Sequence, residues 1–173
     1  GADPSGYKDP PTLSTALHEA VLGGHARCAS LLLSLGADAS ARDRAGNTPL
    51  HACAASPSAD GAGAVELAEA LLAKGEAGTV AAANGAGATP LHLAASRGKL
   101  ALVRLLVENG APLLSPDGSG LDPLSYAPDA ATEGLLLSLI AGSTHQPRRT
   151  PGAWFAAPAS AALADAAAAA SRA

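Results

Sequence analysis

Five histidines, two cysteines and a scatter of carboxylates are the residues of this chain that could do chemistry, and their spacing decides whether they do. His18, His51 and His92 stand in similar local contexts far apart in sequence, so a shared metal ion is the first idea to test. Such an ion needs ligands at about 2 Å, whereas residues on successive packed helices lie about 10 Å apart. His25 and His145 have no partner ligands at metal-binding spacing. Cys28 and Cys53 make neither a Cys-x-x-Cys pair nor a disulfide framework, and both fall at apolar helix positions, where buried small hydrophobes are expected rather than reactive thiols. Nucleophile elbows, His-Glu-x-x-His and phosphate-cradling loops do not occur in the sequence. Asp38 and Asp43 belong to exposed turns, not to a desolvated pair with split pKa values. No catalytic residue, metal site, cofactor or small-molecule substrate is therefore expected.

Composition narrows the partners. The 173 residues carry 11 Lys plus Arg against 15 Asp plus Glu, a formal charge of -4, which gives no electrostatic footprint for nucleic acid. Apolar residues make up 48% but aromatics only 2%, so one modest domain with a thin, layered Ala and Leu core is expected. No apolar run approaches the roughly 20 residues of a membrane span, and Gly1-Ala2-Asp3-Pro4 lacks signal-peptide character. A soluble, intracellular protein is expected, cytoplasmic or within a cytoskeletal or organellar assembly. With no Met anywhere, the chain reads as a fragment or a processed product.

The histidines acquire meaning from the elements around them. His51 and His92 close the tetrads Thr48-Pro49-Leu50-His51 and Thr89-Pro90-Leu91-His92. A weaker copy, Thr15-Ala16-Leu17-His18, lies upstream, and a fourth, Asp122-Pro123-Leu124-Ser125, downstream. Successive tetrads are 33, 41 and 33 residues apart, a period of 33 with eight extra residues in the second copy. Turns precede them as Asp43-Arg44-Ala45-Gly46, Asn84-Gly85-Ala86-Gly87 and Asp117-Gly118-Ser119-Gly120, where left-handed glycines explain the Gly content. Thr at the N-cap and Pro at the first helical position start a short helix in each copy. A second helix, Leu100 to Glu108 in the third copy, carries Leu102, Val103, Leu105 and Leu106 and stops at Asn109-Gly110.

Tetrad, turn, Leu pair and Gly-Ala step recurring together resemble the ankyrin repeat family over residues 9 to 142. The resemblance implies an all-α solenoid of helix-turn-helix units joined by hairpin loops, with repeats at 9–42, 43–82, 83–116 and 117–142 after a lead-in at 1–8. Repeats of this kind stack, because no single unit buries both its faces. Pairing Leu71 with Leu105 puts seven of the eight extra residues between the helices of the second repeat, as a loop at 56–63, and one in its hairpin. That loop is either a partner-specific finger or a tolerated insertion. Residues 143–153 read as a linker. Residues 154–173 form an Ala-rich, helix-prone segment that Trp154 and Phe155 would anchor, on the last repeat or on another protein, with disorder as the third alternative.

The resemblance also implies that the tetrad histidines are structural hydrogen-bonding residues and that the partner is another protein. Contacts are expected on the concave face, at Arg42, Arg44 and Asn47, at Asn84, Ala88, Ser96 and Arg97, and at Asp117 and Ser119, with Trp154 and Phe155 as a second contact. The family's Asn hydroxylation position is Ser40 in the first copy and Leu114 in the third, so that modification is not carried over. A scaffold or adaptor within a larger assembly is the expected function. A stoichiometric regulator of an enzyme, or the targeting part of a multidomain enzyme, is the alternative.

Overall fold

The computed structural model describes residues 8–9, 14–57, 62–76 and 78–143. Two short strands, β1 (Lys8–Asp9) and β2 (Ser14–Thr15), pair antiparallel ahead of the helices. Pairs of helices follow: α1 (Ala16–Leu22) with α2 (Ala26–Ser34), α3 (Pro49–Ala55) with α4 (Ala62–Lys74), and α5 (Pro90–Ser96) with α6 (Leu100–Glu108). The last pair is a 3-10 turn, Pro123–Tyr126, and α7 (Ala130–Ser143). The first helices α1, α3 and α5 and the 3-10 turn pack in one row, the second helices α2, α4, α6 and α7 in another. This is the all-α solenoid expected from the repeats. Trp154, Phe155, all but Ser143 of the 143–153 linker, the 154–173 segment and Ser58–Gly61 of the insertion lie outside the described residues.

The core is as thin as the composition implies. Leu17, Leu50 and Leu91 of the first helices are fully buried, and Ala residues such as Ala54, Ala94 and Ala95 let neighbouring helices approach. In the second helices Leu67, Ala68 and Leu71 of α4 are buried at the steps that Leu102, Val103 and Leu106 occupy in α6. Leu71 thus matches Leu106, not Leu105, which corrects the register by one residue. The insertion changes accordingly. α4 has 13 residues against nine in α6, so part of the excess is helix, and Ala62 and Gly63 belong to α4 rather than to a loop. Ser56, at the other end of the expected loop, is buried, and its hydroxyl donates to Leu22 O at 2.7 Å.

Two further expectations change. The fourth tetrad makes only a 3-10 turn, because Pro128 excludes helical backbone at Ala127 (ψ 120°) and lacks an N–H to continue the helix. The turn glycines divide into two kinds. Gly46, Gly87 and Gly120 have φ of 78°, 77° and 79°, but Gly85 and Gly118 are required by proximity instead. Gly85 N–H donates to Ala45 O and Gly118 N–H to Ala86 O, each at 2.8 Å, and a Cβ would stand 2.8 and 2.6 Å from those same oxygens. Gly110 does end α6 in the left-handed region, at φ 89°.

The tetrad histidines tie the layers together. Each forms a reciprocal capping box with its Thr, in which the imidazole takes the place usually held by Glu. Nδ1 of His18, His51 and His92 accepts from Thr15, Thr48 and Thr89 N–H at 3.3, 3.1 and 3.1 Å. An accepting Nδ1 in a neutral ring leaves the proton on Nε2. Nε2 then donates to Asn47 O, Ala88 O and Leu121 O at 2.9, 3.0 and 3.2 Å, the carbonyl immediately before the next repeat's N-cap. The relay ends at Asp122, which caps its turn by accepting from Ser125 N–H at 2.9 Å.

Burial lowers the pKa of His51 to about 4; its bond to Ala88 O opposes the shift and the charge of Arg42 adds to it. A depressed histidine pKa gives stability that is full above the unfolded value near 6.5 and lost as pH falls toward 4. Urea titrations at pH 7.5 and 4.5 should show a loss of about 2 to 3 kcal/mol from this group, absent in His51→Gln; equal losses in both proteins would reject the assignment. Leu106→Ala should cost about 2 to 5 kcal/mol by opening a cavity between layers. The half-buried Leu105, replaced in the same way, should cost less, as thermal melts of the two variants will report.

Candidate partner-binding surface

Three turns project from the solenoid, and the same side chain shapes each. Asp43 Oδ1 accepts from Ala45 and Asn47 N–H, Asn84 Oδ1 from Ala86 and Ala88 N–H, and Asp117 Oδ1 from Ser119 and Leu121 N–H, all between 2.8 and 3.0 Å. A short polar side chain bonding its own backbone two and four residues on holds a turn without any outside partner. The Gly85 and Gly118 bonds to the preceding tip then join the turns into a ladder. Side chains reinforce it. Asn84 Nδ2 donates to Asn47 Oδ1 at 2.9 Å, and Asn47 Nδ2 donates to Asp43 Oδ2 at 3.0 Å.

The expected contact residues differ in exposure and in the bonds that shape the turns. Arg42 donates to Gly46 O and Ala83 O at 3.0 and 2.7 Å, spanning two turns. Asn47, Asn84 and Asp117 are turn-builders. Asp117 also accepts from the Tyr126 hydroxyl at 2.6 Å, a bond that lowers the carboxyl pKa and raises that of the phenol. Ala88 is a correction: its side chain is buried and its carbonyl receives His51, so it presents nothing to a partner. Arg44, Arg97 and Ser119 are exposed and Ser96 is half-buried, its hydroxyl donating to Leu93 O at 2.9 Å. Between the first and second turns lies an open recess of about 640 Å³, with Arg42, Arg44 and Asn84 among its lining residues. Trp154 and Phe155 lie outside the described residues.

Tyr126 and Lys99 carry parts of this surface that the repeat pattern did not single out. Tyr126 stands edge-on to His92, ring centroids 5.8 Å apart at 77°, and so links the relay to the last turn. Lys99 Nζ donates to Cys53 O and Ser56 O at 3.3 and 2.5 Å, fastening the end of α3 beside the start of α6. Neither is legible locally, since the residues joined through Lys99 are more than 40 positions apart. Cys53 is buried and donates to Ala64 O at 3.3 Å, and burial pushes its thiol up to about 11 with Lys99 opposing. Cys28, expected buried, is exposed. Among the described residues no three of His, Cys, Asp and Glu gather as a metal-binding group, and no helix is long and apolar enough to cross a membrane.

Comparison with known proteins agrees with this architecture. The family model described as Ankyrin repeats (3 copies) matches residues 1–82, and that described as Ankyrin repeats (many copies) matches 71–127. Human protein phosphatase 1 regulatory subunit 27 is 56% identical over 41 residues, 24% of this chain and 27% of that protein. The mouse nuclear factor NF-kappa-B p105 subunit is 31% identical over 149 residues, 76% of this chain and 15% of that one. The chain thus matches about a quarter or less of the length of these two relatives. A putative ankyrin repeat protein of fowlpox virus, FPV223, is 32% identical over 113 residues, covering 65% of this chain and 73% of that protein. With the profile matches, the stacked helix pairs and a relative covered over most of its length, the chain belongs to the ankyrin repeat family, whose repeats are protein-interaction modules.

Proposed function

We propose that this chain is a non-catalytic adaptor or scaffold module that binds an acidic segment of another protein along its turn tips and first-helix ends. The observation that carries this reading is the bonded ladder of turns. Because Asp43, Asn84, Asp117 and the tip glycines hold the backbone, the exposed side chains between them are displayed on a surface ordered before binding. Arg44 and Arg97 supply guanidinium groups suited to bidentate carboxylate recognition, with Ser96 and Ser119 as neutral neighbours. Arg42, Asn47, Asn84 and Asp117 act by keeping that surface in shape. A second contact through Trp154 and Phe155 belongs to the same proposal.

The 41-residue likeness to a phosphatase regulatory subunit favours one second reading, a regulator that binds an enzyme and alters its activity. The two readings separate in one experiment. A fluorescent Glu-rich peptide should bind the chain with salt-sensitive affinity, a Lys-rich peptide should not, and Arg44→Glu with Arg97→Glu should weaken binding about tenfold or more without lowering Tm. Binding unchanged by the double reversal would overturn the acidic-segment proposal. A change in the activity of protein phosphatase 1 catalytic subunit on adding the chain would favour the regulatory reading.

A further inference from the structure

Corresponding positions in the three turns carry different side chains on the same bonded frame. Arg42 precedes Asp43 where Ala83 precedes Asn84 and Pro116 precedes Asp117. Arg44 follows Asp43 where the other turns have Gly85 and Gly118. All three turns close through the same pair of bonds to Oδ1 and a left-handed glycine, at Gly46, Gly87 and Gly120. The second and third do so with no cation at either position. Arg42 reinforces its turn, but neither arginine is needed to close one.

Both arginines are exposed and both line the recess of about 640 Å³ between the first and second turns, with Asp43 as its one acidic residue. The carboxylate of Asp43 is engaged inside its own turn, Oδ1 with Ala45 and Asn47 N–H and Oδ2 with Asn47 Nδ2. Apart from the two asparagines that build the ladder, the rest of the lining is Gly and Ala, so no bulky side chain fills the space. The bonds of Arg42 to Gly46 O and Ala83 O leave from Nη1, which anchors the guanidinium across both turns. Nη2 and Nε belong to the same rigid five-donor group and suit a multidentate acceptor. A carboxylate brings one charge and two oxygens, a match for one guanidinium. A phosphate monoester brings a charge of about −1.5 to −2 and three acceptor oxygens, a match for two. We propose that this recess is a phosphate-binding site, and that the acidic segment meeting the turn surface carries a phosphoserine or phosphothreonine there. The proposal rests on the reading of that surface as the binding face and narrows its ligand. Arg97, beyond the end of α5, is not part of the recess and is left to a carboxylate of the same segment.

Three fluorescent peptides of one acidic sequence, with serine, glutamate or phosphoserine at the centre, test this by anisotropy. The phosphoserine peptide should bind about tenfold or more tighter than the glutamate peptide. Arg44→Gln, which leaves the Arg42 bonds in place, should abolish that preference without lowering Tm. Arg97→Gln should weaken the acidic peptides together and leave the preference intact. A glutamate peptide that binds as tightly as the phosphoserine one, or a preference untouched by Arg44→Gln, overturns the phosphate site and leaves the acidic-segment reading standing. Binding of none of the three overturns both. Inorganic phosphate that competes as well as the phosphoserine peptide also overturns the proposal, in favour of a site for the free anion.

Discussion

A neutral imidazole accepts at one ring nitrogen and donates at the other, and the layers of this molecule are aligned by three of them. His18, His51 and His92 each close the cap of their own first helix through Nδ1 and hold the carbonyl before the next N-cap through Nε2. The same ring therefore begins one helix and sets where the following one begins. Glutamate at that position could close the capping box but has no proton to give the next repeat at neutral pH. The ring must stay neutral to do both, and in His51 burial enforces this.

Hydrogen bonds across layers alone would not hold so small a core. Among the described residues each second helix contributes two to four buried side chains, and the small Ala residues of the first helices bring the layers together. Stability in such an array is close to a sum of repeat and interface contributions, so what happens at an open end weighs as much as what happens inside. At one end α2 exposes Leu31 and Leu35, and at the other the fourth repeat gives up a regular first helix to Pro128 and caps its turn with Asp122.

The tetrads make the solenoid legible because Thr, Pro, Leu and His each have one local task that recurs every 33 residues or so. Cys28 sits at a position that helical periodicity marks as buried yet is exposed, because periodicity carries no information on what packs against an end helix. The turn residues posed a different difficulty. Asn47 and Asn84 look like free polar groups in sequence, but they bond to each other 37 residues apart, and Arg42 reaches Ala83 O across a similar gap. Which polar side chains build the turns depends on how the repeats stack, which is information no single repeat contains. The insertion had the same weakness: only burial shows Leu71 aligned with Leu106, and only the hydroxyl bond to Leu22 O shows Ser56 to be part of the framework.

That division of labour has a consequence for recognition. A turn whose shape depends on its own Asp or Asn, and on a glycine pressed against the preceding tip, tolerates replacement of the residues between them. Arg44 occupies the very step at which the next two turns carry Gly85 and Gly118, so a long side chain is accommodated there in one turn and excluded by Ala45 O and Ala86 O in the others. Variation in what the surface displays is thereby confined to a few positions per repeat, while the ladder beneath stays constant. Partner choice in such a module is decided by those few side chains, and chemistry that alters the ladder residues changes the shape of the surface before it changes any contact.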